Sequence, residues 1–161
     1  IRSEIRNLKP ENLGHYTVYL PAYSDEFILK KLSKHPDQKF QVFSKHTRED
    51  YSQENVEVYK VNNEKFNLSL AKSEGLLTGG GFEGPAEALF LGKKLLCVPM
   101  FHQYEQQCNA LAAEKMGATV IWSEKEFDQK LNHWLKNAEP IQVNFPDETE
   151  EVIKNLIEKY S

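Results

Sequence analysis

The chain is poor in the features that mark most specialised protein classes. Its 161 residues include only two cysteines, Cys97 and Cys108. They lack C-x-x-C spacing and fall one in an expected strand and one in an expected helix, which favours buried free thiols over a disulfide or a metal site. No stretch approaches the roughly 18 apolar residues that a membrane-spanning helix needs. The first residues show no charged, apolar, small-residue succession of the kind that directs secretion. The expectation is a cytoplasmic chain without a transmembrane segment, compatible with peripheral membrane association of a larger protein. Excess positive charge is also missing, since 20 Lys and Arg face 24 Asp and Glu for a formal net charge of −4. A nucleic-acid partner would need clustered basic residues, and here they are dispersed. There is no D-x-D motif to hold a catalytic metal, and His15, His35, His46 and His133 have no metal-ligand spacing. Repeats and low-complexity tracts are absent.

What is present is alternation. Ile1 to Gly14 reads as a charged lead-in, as expected for a piece of something longer. Tyr16 to Leu20 is a β-prone run ended by Pro21, and Ser24 stands where it would cap a helix from Asp25 to Ser33. Lys39 to Ser44 alternates as a second strand, 44–55 is polar and loop-like, and Val56 to Val61 reads as a third strand. A helix over Asn63 to Lys72 follows. Gly75 to Thr78 is a brief strand, Pro85 to Leu91 a helix with proline in its first turn, and Lys94 to Val98 an apolar strand stopped by Pro99. Such an apolar run fits a sheet covered on both faces. Tyr104 to Met116 is a helix capped by Gly117, Ala118 to Trp122 a strand, and Ser123 with Glu126 a capping box opening a helix toward Asn137. The last helix, Glu148 to Tyr160, carries one apolar stripe of Val152, Ile153, Leu156 and Ile157. Parallel neighbours require crossovers, so this order predicts an α/β fold with a doubly wound, mainly parallel, Rossmann-like sheet. The expected organisation is a lead-in over 1–14, one binding domain over 15–140 and a C-terminal helical segment over 141–161.

Ligands of such sheets bind beyond the carboxyl ends of the strands, where Gly79-Gly80-Gly81-Phe82-Glu83-Gly84 lies. Gly79, Gly81 and Gly84 satisfy G-x-G-x-x-G, but a dinucleotide fingerprint belongs in the first βα turn with an acid closing the next strand. Here it is mid-chain and the next strand ends in Val98-Pro99-Met100. Two readings of the glycines stand: open backbone N–H groups at a helix N-terminus that receive phosphate, or a tight turn that needs positive φ. Glu87, a turn into the helix, is a candidate for accepting from ribose hydroxyls, or a solvated acid favoured by the helix dipole. Glu105 and Gln106 pair an acceptor with an amide at the start of the next helix. His102, in the loop before them, could donate to a phosphate or sugar.

Together these segments resemble the C-terminal, nucleotide-sugar-binding domain of GT-B fold glycosyltransferases, in particular the macrolide and UDP-glycosyltransferase group and the peptidoglycan N-acetylglucosaminyltransferase. The family pattern, roughly T-H-G-G-x-N-S-x-x-E, a strand ending in proline, then D/E-Q-x-x-N-A, is here Thr78-Gly79-Gly80-Gly81-Phe82-Glu83-Gly84-Pro85-Ala86-Glu87, Val98-Pro99 and Glu105-Gln106-Gln107-Cys108-Asn109-Ala110. The chain departs from it at Gly79, where the family has a phosphate-contacting histidine, and at Glu83 and Gly84, where it has asparagine and serine. The resemblance implies one C-terminal half of a GT-B fold. It places Gly79, Gly80, Gly81, Gly84, His102 and Ser24, in the Pro21–Ser24 loop, around the donor diphosphate. Glu87 then holds the ribose, Val61 and Asn62 lie near the base, and Glu105 with Gln106 holds the transferred sugar. It implies no cofactor and no metal, a nucleotide sugar such as a UDP-sugar as substrate, and an acceptor-binding N-terminal domain of the same protein that supplies the general base. The expected chemistry of the whole protein is inverting, metal-independent sugar transfer, the isolated domain being inactive. The alternatives are a non-hydrolysing nucleotide-sugar epimerase fragment and a non-catalytic donor-binding subunit that needs a partner.

Overall fold

The chain begins with a short helix, α1 (Ser3–Arg6), and a central strand, β1 (His15–Tyr19). After them come α2 (Asp25–Leu32), β2 (Lys39–Ser44), β3 (Tyr51–Gln53), β4 (Val56–Lys60), α3 (Asn63–Lys72), β5 (Gly75–Thr78) and α4 (Glu83–Phe90). The series ends with β6 (Lys94–Cys97), α5 (Tyr104–Lys115), β7 (Thr119–Val120), α6 (Phe127–Asn137) and α7 (Thr149–Tyr160). This computed structural model describes residues 1–160, so Ser161, the end of the expected 141–161 segment, lies outside the described residues.

The seven strands form one sheet in the order β3-β4-β2-β1-β5-β6-β7. Every pairing is parallel except that of β3 with β4. The chain winds outward from β1 through β2 to β4, then crosses back through α3 to β5 and winds the other way. The direction of winding therefore reverses between β1 and β5, and such a reversal opens a crevice beyond the strand ends.

Alternating side chains build two cores on the two faces of the sheet. One joins Tyr16, Val18, Phe40, Val42, Val58, Leu77 and Leu96 to Ile28 and Leu32 of α2 and Phe127, Leu131 and Trp134 of α6. The other joins Leu76, Leu95 and Cys97 to Ile5 of α1, Leu70 and Ala71 of α3, Ala88 of α4 and Ala110 and Ala113 of α5. Trp134 is fully buried, with its ring centroid 5.0 Å from that of Tyr16. A Cβ at Gly75 would stand 2.8 Å from Lys94 Cβ and 2.9 Å from Trp134 Cζ2, so only glycine fits there.

Several expectations are refined. The polar 44–55 segment contains β3, an exposed edge strand that no burial pattern announces. The lead-in is not a free tether: Ile5 is fully buried, and Ile1 and Leu8 pack on the same core as Ile141, Val143 and Phe145. The Ser123 capping box is present, but it opens a 3-10 turn, Glu124–Glu126, that runs on into α6. Cys97 is buried, whereas Cys108 is exposed, contrary to the expectation of two buried thiols. Burial pushes the Cys97 thiol up to about 12, which leaves it protonated and inert. The stripe on α7 seals no core, because none of that helix is buried.

On the side of β2 and β4 that faces α3, that helix reaches Phe43 through Phe66 but leaves a groove of about 1080 Å3, lined by His15, Gln41, Glu57, Tyr59, Lys65 and Ser69 among others. The cause lies in the connection: 45–55 spends its length on an edge strand, so no crossover helix between β2 and β4 is left to fill it.

Candidate functional site

The glycine segment leaves the carboxyl end of β5, beside the point where the winding reverses. None of Gly79, Gly80, Gly81 or Gly84 has positive φ, so a left-handed turn is not what their sequence serves. At Gly80 the reason is close approach. Its amide donates to Gln106 Oε1 at 3.3 Å and its carbonyl accepts from Asn109 Nδ2 at 3.1 Å. A Cβ on Gly80 would overlap the backbone of Gln106, with the Gln106 carbonyl carbon 2.9 Å away. Gly81, by contrast, faces open space. Phe82 then enters α4 with no side chain capping the helix, which leaves its first amides free of a side-chain acceptor.

Gln106 ties two loops together. Its Oε1 also accepts from the Met100 amide at 3.1 Å, and its Nε2 donates to Gln103 Oε1 at 2.6 Å. Gln107 Nε2 donates to the Phe101 carbonyl. The Glu105-Gln106-x-x-Asn109 spacing thus places Gln106 and Asn109 on the side of α5 that grips the glycine loop, one residue holding its N–H and the other its C=O. Glu105 is exposed and makes no hydrogen bond among the described residues. The acid and the amide, taken together at the sequence level, part company: Glu105 is open to a ligand and Gln106 is committed to the loops.

Glu87 is committed as well. Arg2, at the start of α1, meets it with two parallel bonds, Nε to Oε1 at 2.6 Å and Nη2 to Oε2 at 2.7 Å. The Glu87 side chain is 3% exposed and that of Arg2 34%. Both oxygens of the carboxylate therefore accept from a guanidinium. Arg2 Nη2 donates in addition to Asn67 Oδ1 of α3 at 3.2 Å. Hydrogen bonding to Glu87 is the main cause that raises the Arg2 pKa further.

The other expected residues sit at the same end of the sheet but in structural roles of their own. Ser24 caps α2, accepting from the Phe27 amide at 3.3 Å. Asn62 caps α3, accepting from the Lys65 amide at 2.9 Å, and Val61 beside it is exposed. His102 is exposed in the loop after β6, against Phe101 at 5.0 Å between ring centroids.

Sequence reasoning passed over Arg2, Asn67, Gln103 and the exposed aromatics Phe82, Phe101 and Tyr104 at 70%, 78% and 81% exposure. The aromatics had a signal: they interrupt polar loops flanking the glycines. Arg2 had none, because its partner is 85 positions away. Among the described residues no group of His, Cys, Asp and Glu is arranged to hold a metal, and no helix is long and apolar enough to cross a membrane.

A family model described as "Glycosyl transferase family 1" matches residues 1–139. Among solved structures, the chain is similar to the glycotransferase of kitacinnamycin, with 17% identity and a TM-score of 0.59 over 80% of this chain and 36% of that one. It is similar to the glycosyltransferase SnogD from Streptomyces nogalater, with 15% identity and a TM-score of 0.57 over 82% of this chain and 37% of that one. It is also similar to ALG13, with 11% identity and a TM-score of 0.57 over 89% of this chain and 95% of that one. At these identities the structural likeness establishes a shared fold. The chain spans little more than a third of the first two proteins. No curated protein sequence matches it.

Proposed function

Because the chain belongs to glycosyl transferase family 1, we propose that it is the donor-binding domain of an inverting, metal-independent glycosyltransferase that takes a nucleoside diphosphate sugar, with UDP-sugars the first candidates. The observation that carries this reading is the Gly80 anchorage: the loop is clamped from both its N–H and its C=O by α5, while Gly81 and the α4 N-terminus stay open beside it. Preorganised amides and the positive end of a helix suit a diphosphate, and they gain strength as charge develops on it when the sugar departs. With Gly79 in place of an imidazole, that charge is met by backbone and helix dipole, with His102 in the next loop as a further donor.

In the reaction, a base outside this chain's described residues takes the proton of an acceptor hydroxyl, whose oxygen attacks the anomeric carbon opposite the departing diphosphate. Attack from that side inverts the configuration. Glu105, exposed at the first turn of α5, is placed to accept from hydroxyls of the transferred sugar. In this reading Ser24, Val61 and Asn62, which follow the carboxyl ends of β1 and β4, border the same crevice.

The match over nearly all of ALG13 favours a second reading, a donor-binding unit that acts only with a separate partner. Both readings require nucleotide binding by this chain. Thermal shift with UDP, GDP, dTDP and their sugar conjugates tests it: the true donor raises the melting temperature by mass action on the native state. Indifference to all of them contradicts both readings.

A further inference from the structure

The Arg2–Glu87 pair links the lead-in to α4 close to the carboxyl-end edge of the sheet. Helices α3 and α4 lie side by side on one face of the sheet, and both start at its carboxyl-end edge. Asn67 and Glu87 each stand one helical turn inside their helices, and Arg2 bridges them. Its backbone is fixed too, because its carbonyl accepts from the Ile5 and Arg6 amides at 3.1 Å each and Ile5 is buried in the core.

The donors are unevenly used. Arg2 Nε and Nη2 are spent on Glu87 and Asn67, whereas Nη1 has no partner among the described residues. The Asn67 amide nitrogen also has no partner among the described residues, and Asn67 is 9% exposed. A planar guanidinium held along one edge presents the opposite edge in a fixed direction, leaving the two N–H groups of Nη1 free to donate. Glu87 holds the guanidinium through both of its oxygens.

We propose that Arg2 is the residue that meets oxygen atoms of the nucleoside diphosphate in the crevice between α3 and α4, with Glu87 and Asn67 as positioning residues that fix its guanidinium. The proposal rests on the donor-binding reading and deepens it: the carboxylate of the glycine motif serves the nucleotide at one remove, through a cation from the lead-in. The pair with Glu87 is net neutral, so what Arg2 offers a phosphate or sugar oxygen is fixed N–H donors rather than net charge.

Calorimetric titration of the chain with UDP, 2′-deoxy-UDP and uridine tests this, alongside the melting temperature of each variant. Arg2→Ala is expected to weaken UDP binding about tenfold or more. Arg2→Lys keeps an ion pair with Glu87 but loses the second edge of donors, so it is expected to melt near the wild type and still bind UDP as poorly as Arg2→Ala. Glu87→Gln is expected to weaken binding in wild-type Arg2 and to have little further effect in Arg2→Ala. A loss confined to UDP and spared in 2′-deoxy-UDP places Arg2 on the ribose. An equal loss in both, with uridine unaffected, places it on the phosphates. Wild-type affinity in Arg2→Lys, or tighter binding in Arg2→Ala, overturns the proposal while leaving the donor-binding reading intact. A wild-type chain that binds no nucleotide overturns both.

Discussion

Gly80 and Gln106 occupy one another's space: the Gly80 amide donates to the Gln106 side chain, and no atom larger than hydrogen fits between the Gly80 Cα and the Gln106 backbone. Gly80→Ala therefore drives the glycine loop away from α5. Overpacking of this kind costs about 1–3 kcal/mol, read as a shift in the denaturant midpoint. The same displacement breaks the Asn109 bond, so nucleotide affinity falls with stability. Gly81→Ala, which faces open space, is expected to leave stability nearly unchanged and serves as the control.

Glu105 and Gln106 make opposite predictions although they are neighbours. Glu105→Ala leaves the fold untouched, since the side chain is exposed and unbonded, and weakens a sugar nucleotide about tenfold while sparing the bare nucleotide. Gln106→Ala loses the link between the two loops and weakens both ligands alike. Paired titrations with UDP and a UDP-sugar check the contrast. Equal losses for both ligands in Glu105→Ala would remove its sugar-binding role.

Gly75→Ala tests the packing between sheet and α6. Its Cβ meets Lys94 and the Trp134 ring, so destabilisation of about 1–3 kcal/mol is expected, together with a change in tryptophan fluorescence as that ring is displaced.

Stability should fall as pH drops from about 6.5 toward 5. Burial lowers the pKa of His15 and of His35 below the ordinary 6.5. The unfolded chain then binds protons that the folded chain refuses, so stability rises with pH through this window. The contribution is fully present above 6.5 and is lost as pH falls through the folded-state values. Carboxylates with lowered pKa, such as Asp128 beside Lys34 and Lys31, act at more acid pH and leave this window to the histidines. Melting temperatures of wild type and His15→Gln across pH 5–7.5 check it, the variant showing the shallower slope.

The alternation of strands and helices, and with it the position of the glycine loop, was legible because apolar period and turn residues agree at nearly every boundary. The β3 edge strand was not: Tyr51, Ser52 and Gln53 are all exposed, so burial leaves no period in them. Nor was α1, whose four residues are too few to show a helical period and of which only Ile5 is buried. The motif singled out Gly80, Gln106 and Asn109, which the fold joins by hydrogen bonds, but spacing carries no side-chain direction, and direction separates Gln106, turned to the loop, from Glu105, turned to solvent. Arg2 shows the larger gap, since a residue that meets its partner only through tertiary packing leaves no local trace.

The most direct test of the account is amide chemical-shift mapping as UDP is added to the chain. The account predicts that the largest shifts fall on Gly79 to Glu83 and at the start of α4, extending to Asn62 and Asn67. Absence of shifts there, or shifts confined to the groove over β2 and β4, would contradict it.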